Sequence, residues 1–244
     1  MNLRLAALMF ALAAPPAVAE AACKDIRFED QPYTTCEVTF GQDLRLFHAD
    51  TEGVVLGSFG RVDEVLQAEG KKLAFAMNAG MYHPDRAPVG LLITEGQERA
   101  GIVTRAGPGN FGLLPNGVFC IGPDGFAVVE SRKFKAHPPR CRFATQSGPM
   151  LVINGKLHPR FLADSDSRYI RNGVGVSADG KTAYFVISGH SVNFDTFGRL
   201  FRDGLSVPNA LYFDGKISRL YAPSLGRSDF GFQMGPIVGL AVSQ

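Results

Sequence analysis

The chain has 244 residues and a formal net charge of +2, with 25 Lys and Arg set among 23 Asp and Glu, so its overall charge directs it to neither nucleic acid nor a membrane surface. That length fits one large domain with a self-sufficient core. Tryptophan is absent, 19 phenylalanines supply core-forming bulk, and 28 glycines imply many turns.

The first residues, MNLRLAALMFALAAPPAVAEAAC, carry Arg4, an apolar stretch from Leu5 to Ala14, a Pro15-Pro16 break and small residues at Ala17 and Ala19. This pattern predicts a secretory signal peptide, residues 1–19, cut after Ala19. The apolar run is shorter than the roughly 20 residues a membrane-spanning helix needs. The mature chain, 20–244, is therefore expected to be periplasmic or secreted, with no integral membrane segment. Lipid anchoring at Cys23 is not expected, because Glu20-Ala21-Ala22 precedes it where a lipobox wants an aliphatic residue.

Four cysteines, Cys23, Cys36, Cys120 and Cys141, fit an oxidising compartment, and their spacings match neither zinc nor redox motifs. Four cysteines allow three pairings. The two local ones, Cys23 with Cys36 and Cys120 with Cys141, are expected, since each pair brackets a turn-rich stretch.

Along the chain, GRVDEVLQAEG places Val62, Val65 and Leu66 on one face and stops at Gly70, as a short amphipathic helix would. Hairpins are then predicted at Glu95-Gly96, Pro123-Asp124-Gly125, Asn154-Gly155 and Ala178-Asp179-Gly180, each turn lying between apolar runs. VNFDTFGRLFRDGL reads as a second helix, with Phe194, Phe197, Leu200 and Phe201 on one face, Asp195 in the first turn and Gly204 as the stop. A fifth hairpin is predicted at Asp214-Gly215 in ALYFDGKISRLY. The expectation is a single α+β domain, strand-rich, with mostly antiparallel hairpins forming mixed sheets and a few short helices.

Several segments between these elements combine glycine with amide, hydroxyl or charged side chains: MNAGMYHPD, GPGNFG, TQSGPM, SRYIRNGVG, FRDGL and YFDG. Sites assembled from strand ends have this character, and so do elaborate turns. The order NAGMY, PVGLLI, GNFG, GVF, QSGPMLVINGKLH, RNGVGV, FVIS, FRDGL, NALYFDG, GPIVG resembles that of the phosphodiester glycosidase family, which includes the mannose 6-phosphate uncovering enzyme and exported bacterial relatives. The resemblance runs from about Phe40 to the C-terminus. It implies hydrolysis of a sugar from a phosphodiester of the N-acetylglucosamine-1-phosphodiester type, at the bond between the anomeric carbon and the phosphate oxygen. That chemistry asks for a cation on the phosphate, hydrogen-bonding groups on the sugar and a carboxylate opposite an oxocarbenium-like centre.

On these grounds Arg171 is the candidate for the phosphate, because its planar fork of donors matches two phosphate oxygens; Arg168 could share the role. Asp214 is the candidate carboxylate. Asp203 is the alternative acid, or a helix-end residue paired with Arg202 or Arg199. Asn78, the backbone at Gly80, Gln146 and Ser147 are candidate substrate contacts, as is His158, close after QSGP; Asn110 is either a contact or a loop cap. The uncovering enzyme has a glycine-rich run ending in serine after its matching aspartate, whereas here Asp214-Gly215 is followed by Lys216-Ile217-Ser218. That departure keeps a second reading open, a non-catalytic glycan- or phosphoglycan-binding protein on the same fold. No cofactor and no dedicated metal site is expected, since Cys/His clusters, HExxH and EF-hand loops are absent. QSGPM lacks the glycine two residues before serine that a nucleophile elbow needs. The sequence leaves oligomeric state open.

Overall fold

The computed structural model describes residues 22–244, so the expected signal peptide and its cleavage point lie outside the described residues. Three antiparallel sheets form one strand-rich α+β domain with a few short helices. The largest sheet runs, edge to edge, Ala22–Phe28, Gln31–Thr39, Thr182–Ser188, Asn172–Val176, Asn209–Asp214, Met150–Ile153 and Lys156–Leu157. The second runs Arg227–Ser228, Leu220–Ala222, Lys71–Asn78, Ile237–Ser243 and Asp43–Phe47. The third runs Gln97–Ala100, Leu92–Thr94, Phe143–Ser147, Gly117–Ile121 and Phe126–Glu130.

The sheets meet through aromatic side chains. Phe185 of the largest sheet lies 5.3 Å, ring centre to ring centre, from Phe75 of the second and 5.6 Å from Phe119 of the third. All three rings are fully buried, each removing apolar area worth about 2 to 3 kcal/mol from water. Both expected disulfides are present. Cys23–Cys36 joins directly paired residues of the first hairpin, and Cys120–Cys141 ties a strand of the third sheet to the segment leading into its neighbour.

Four of the five expected hairpins form, at Glu95-Gly96, Pro123-Asp124-Gly125, Asn154-Gly155 and Ala178-Asp179-Gly180. The fifth does not. Asn209–Asp214 pairs on both edges, with Asn172–Val176 and Met150–Ile153, so no edge remains for the chain to fold back on. Leu220–Ala222 pairs instead with Lys71–Asn78 in the second sheet, Leu220 opposite Met77. Asp214 thus stands where the chain leaves one sheet for another.

The first expected helix spans Phe59–Gln67, with Ser58 accepting from the Arg61 N–H at its start and Gly70, at φ +69, beyond its end. It buries Phe59, Val62 and Leu66, while Val65 lies 38 % exposed on the rim rather than on the packed face. The second spans Phe194–Arg199, then widens into a π-helical turn at Leu200–Gly204. Its cap is Asn193, which accepts from the Thr196 N–H; Asp195 pairs instead with Arg199, one turn on. Phe197, Leu200 and Phe201 are buried and Phe194 is half-buried.

Candidate functional site

Strand ends from all three sheets converge on the Asp214 turn. Asn78 ends its strand in the second sheet, Ser147 ends one in the third, and Asn172 and Asp214 face each other as paired residues in the largest sheet. Asn172 donates from Nδ2 to the Asn78 carbonyl (2.8 Å) and Oδ1 (3.2 Å), while its own Oδ1 accepts from the Asp214 backbone N–H (3.1 Å). Asn78 Oδ1 also accepts from the Arg219 N–H (2.9 Å). The Ser218 hydroxyl lies within hydrogen-bonding distance of Ile170 O, Asp214 O and Asn172 Oδ1. Both asparagines are fully buried, so each satisfied group avoids an unpaired-polar cost of about 1 to 3 kcal/mol. They fix the turn that presents Asp214.

The Asp214 carboxylate is half-buried, and its Oδ1 accepts from the Gly215 (2.6 Å) and Lys216 (2.9 Å) N–H groups. Burial pushes its pKa above the usual carboxylate value, outweighing those two donors and the nearby Lys216 charge. Gly215 is required here, because a Cβ at that position would collide with the Tyr212 hydroxyl. Ser147 braces the same strand from behind, its Oγ donating to the Phe213 carbonyl (2.9 Å), and Pro149 O accepts from the Tyr212 N–H (3.2 Å).

Arg171 precedes Asn172 and is completely buried. Its Nε donates to Val192 O (2.8 Å) and Nη2 to Ser167 O (2.8 Å), and Cζ lies 3.7 Å from the centre of the Phe194 ring. Among the described residues Nη1 has no well-formed hydrogen bond, with the Tyr212 hydroxyl the neighbouring polar group, and no carboxylate forms an ion pair with the guanidinium. Burial lowers its pKa, and the adjacent Tyr212 opposes that shift. Tyr212 links the two candidates: its hydroxyl is buried without a well-formed hydrogen bond, in the electrostatic reach of both Arg171 and Asp214, with the Asn110 side chain beside it. Burial raises the Tyr212 pKa and keeps the phenol protonated.

The remaining candidates are placed differently. Gly80 adopts φ +93 with Thr145 Oγ1 where a Cβ would stand, two residues after Asn78. Gln146 spends its amide on the backbone, Oε1 accepting from Leu91 N (3.0 Å) and Val103 N (2.9 Å), and Nε2 donating to Val103 O and to Ser131 Oγ (2.8 Å). His158 is buried behind the site; Nδ1 accepts from Arg160 N, which leaves Nε2 to donate to Leu114 O, and burial lowers its pKa so that the ring stays neutral. Its ring stacks on Phe161, and Phe161 on Phe194, so His158 reaches Arg171 only through aromatic packing. Asp203 lies on the surface in an ion pair with Arg202 (2.6 Å). Asn172, Tyr212 and Tyr82 are the members of the cluster that motif reading passes over. Tyr82, half-buried, feels the Asp214 charge and has Arg86 and Arg219 nearby. All three sit inside segments the sequence singles out, Asn172 in RNGVG, Tyr82 in NAGMY and Tyr212 in YFDG.

A surface cavity of about 1080 Å³ opens at the other ends of the strands that carry Asn78 and Ser147, between Asp43, Arg45, Lys71 and Arg142. Most of its charges pair among themselves, Arg45 and Lys71 with Asp43, and Arg142 with Glu95. Among the described residues no group of three or more His, Cys, Asp or Glu is placed to hold a metal ion.

Residues 71–228 match the model of the phosphodiester glycosidase family. The chain belongs to that family. A phosphodiester glycosidase fold is thus established for the strands that carry Asn78, Ser147, Asn172 and Asp214. The uncharacterized protein YigE of Escherichia coli K12 is 34 % identical over 213 residues, which cover 87 % of this chain and 80 % of that one. The catalytic domain of zebrafish N-acetylglucosamine-1-phosphodiester alpha-N-acetylglucosaminidase, solved auto-inhibited by its pro-peptide, superposes with a TM-score of 0.61 at 14 % identity, covering 90 % of this chain and 81 % of that one. At that identity the superposition speaks for the fold.

Proposed function

We propose that this phosphodiester glycosidase family member is an exported hydrolase that releases a sugar from a sugar-1-phosphodiester. Arg171 supplies the observation that carries the reading. A guanidinium sealed from water, with no carboxylate partner among the described residues and its Nη1 group without a well-formed hydrogen bond, calls for an anion, and its fork of donors suits a phosphate. Reaching Nη1 requires the irregular segment around Ser167 and Tyr169 to shift, since Ser167 holds the neighbouring Nη2.

Asp214 supplies the carboxylate. It acts on the anomeric carbon as the bond to the phosphate oxygen breaks; the bonding electrons leave with the phosphate, the oxygen of water ends on the sugar, and a phosphomonoester of the aglycone departs. Phosphate is a far better leaving group than an alcohol, so one carboxylate suffices without strong acid assistance. Asn78 and Asn172 hold the Asp214 turn, Ser147 braces its strand, and Tyr212 stands within the electrostatic reach of both Asp214 and Arg171 with the Asn110 side chain beside it. Sugars of the N-acetylglucosamine type are the first substrates to try, by analogy with the zebrafish enzyme. Export rests on the leader-like N-terminus and the two disulfides.

The test is release of free sugar and phosphomonoester from a panel of sugar-1-phosphodiesters, with binding measured in parallel. Turnover with at least one member supports the proposal. Binding without turnover across the panel replaces it with the glycan-binding alternative, for which Lys216 and Ile217 in the turn after Asp214 are the motivating departure.

A further inference from the structure

The loop that follows Arg227–Ser228 presents two bare phenylalanines. Phe230 is 96 % exposed and Phe232 78 % exposed, with Gly231 at φ +147 between them. The loop is anchored at both ends. Asp229 exchanges hydrogen bonds with Leu220, Arg219 Nη1 donates to Phe232 O, and the buried Met234 donates its N–H to Gly57 O (2.8 Å). Only the two rings stand free. Burying a phenylalanine is worth about 1.5 to 3 kcal/mol, which both rings forgo in water. Exposed apolar groups held in this way mark a contact surface.

We infer that Phe230 and Phe232 insert into the surface of an anionic lipid bilayer and bring the mouth of the Asp214 site to headgroup level. Two observations favour lipid over a sugar chain. A ring that carries sugars packs one face and offers the other, whereas Phe230 has both faces open and no polar edge for hydroxyls. The charge beside the loop is cationic: Arg219 donates to Phe232 O, Arg86 lies over the Tyr82 ring whose hydroxyl meets Gln233 O, Lys216 lies beside Asp214, and none of these three cations forms an ion pair among the described residues. Of the nearby acids, Asp229 is paired with Arg227 and Asp214 faces Lys216, while Asp85 accepts from the Ala87 N–H and keeps its charge, so the cations outnumber the acids by one. Lys216 is exposed and Arg86 and Arg219 are half-buried; a cation at the surface adds up to about 1 kcal/mol of attraction to an anionic leaflet.

If the chain hydrolyses sugar phosphodiesters as proposed, its substrate class is then a sugar joined through phosphate to a lipid. The docking itself is independent of that reading. Co-sedimentation of the purified protein with phosphatidylcholine vesicles, with and without phosphatidylglycerol, tests it. Binding should require phosphatidylglycerol, weaken with salt, and fall at least about tenfold in Phe230→Ser/Phe232→Ser, while the melting temperature and any turnover of a soluble phosphodiester stay unchanged. No binding by the wild type, or equal binding by the double variant, overturns the inference. So does a double variant that loses affinity for a soluble oligosaccharide while vesicle binding is absent, since the rings are then a sugar platform. Vesicle binding without turnover of any phosphodiester leaves the docking standing and removes the hydrolase.

Discussion

Asn78 and Asn172, 94 residues apart, bond to each other across two sheets, and between them they hold the backbone N–H groups of Asp214 and Arg219. The buried amide pair therefore fixes the Asp214 backbone, and the Gly215 and Lys216 N–H groups of its own turn fix the carboxylate. Asn172→Ala should leave the Asp214 N–H and the Asn78 Nδ2 group without partners, while Asn78 Oδ1 keeps the Arg219 N–H, costing about 2 to 4 kcal/mol in denaturant unfolding and lowering kcat by more than it raises KM. A variant of wild-type stability would mean that the turn does not depend on this pair.

Much of this arrangement was legible in the sequence, and the failures have physical causes. Four Gly-containing turns were readable because each joins two strands that are hydrogen-bonded neighbours in one sheet. The Asp214-Gly215 signal misled because local turn chemistry carries no information on edge occupancy, which here comes from strands more than 30 residues away in sequence. The first hairpin, Ala22–Phe28 with Gln31–Thr39, turns at Glu29 and Asp30, both in the left-handed region with no glycine to announce it. The helix Ser131–Ala136 is capped by the Glu130 side chain, outside the residues that normally signal a start. At the site, single polar residues in glycine-rich segments were visible. Which of them spend their amides on the backbone, as Gln146 does, depends on partners brought in by tertiary folding.

Stability should respond to pH through Asp214. Its pKa is raised in the folded protein by burial, so the fold binds that proton more tightly than the unfolded chain does. The resulting stabilisation is complete below the ordinary carboxylate pKa and is lost as pH rises through the raised one. Asp214→Asn keeps an oxygen for the Gly215 and Lys216 N–H groups and removes the buried charge. It should melt higher than the wild type at neutral pH, with the difference closing as the solution is acidified. A lower melting temperature at neutral pH would show that the ionised carboxylate is stabilised by its surroundings.

The Cys120–Cys141 bridge closes a separation of 21 residues and ties the third sheet to the segment that leads to Ser147. Cys120→Ala/Cys141→Ala should lose about 3 kcal/mol by the chain-entropy argument. Equilibrium unfolding under non-reducing conditions measures this, and a loss well below 1 kcal/mol would assign the bridge no part in holding the fold.

The last prediction separates Arg171 from Asp214 by what each substitution damages. Arg171→Ala removes the cation that meets the phosphate in both the bound and the reacting state, so affinity and turnover should fall together, by about 2 to 4 kcal/mol in kcat/KM. Arg171→Lys keeps a charge but loses the fork and the flat contact with Phe194, and should recover only part of that loss. Asp214→Asn retains the shape of the turn and lacks the negative charge opposite the developing oxocarbenium centre, so it should lower kcat while an uncleaved substrate still binds. The pH profile provides the second readout. Because Asp214 must be ionised to act and burial raises its pKa, wild-type activity should decline on the acid side at a pH above the usual carboxylate range, and that limb should vanish from the residual rate of Asp214→Asn. A full-rate Asp214→Asn enzyme, or an acid limb that survives the substitution unshifted, would move the carboxylate role to another residue.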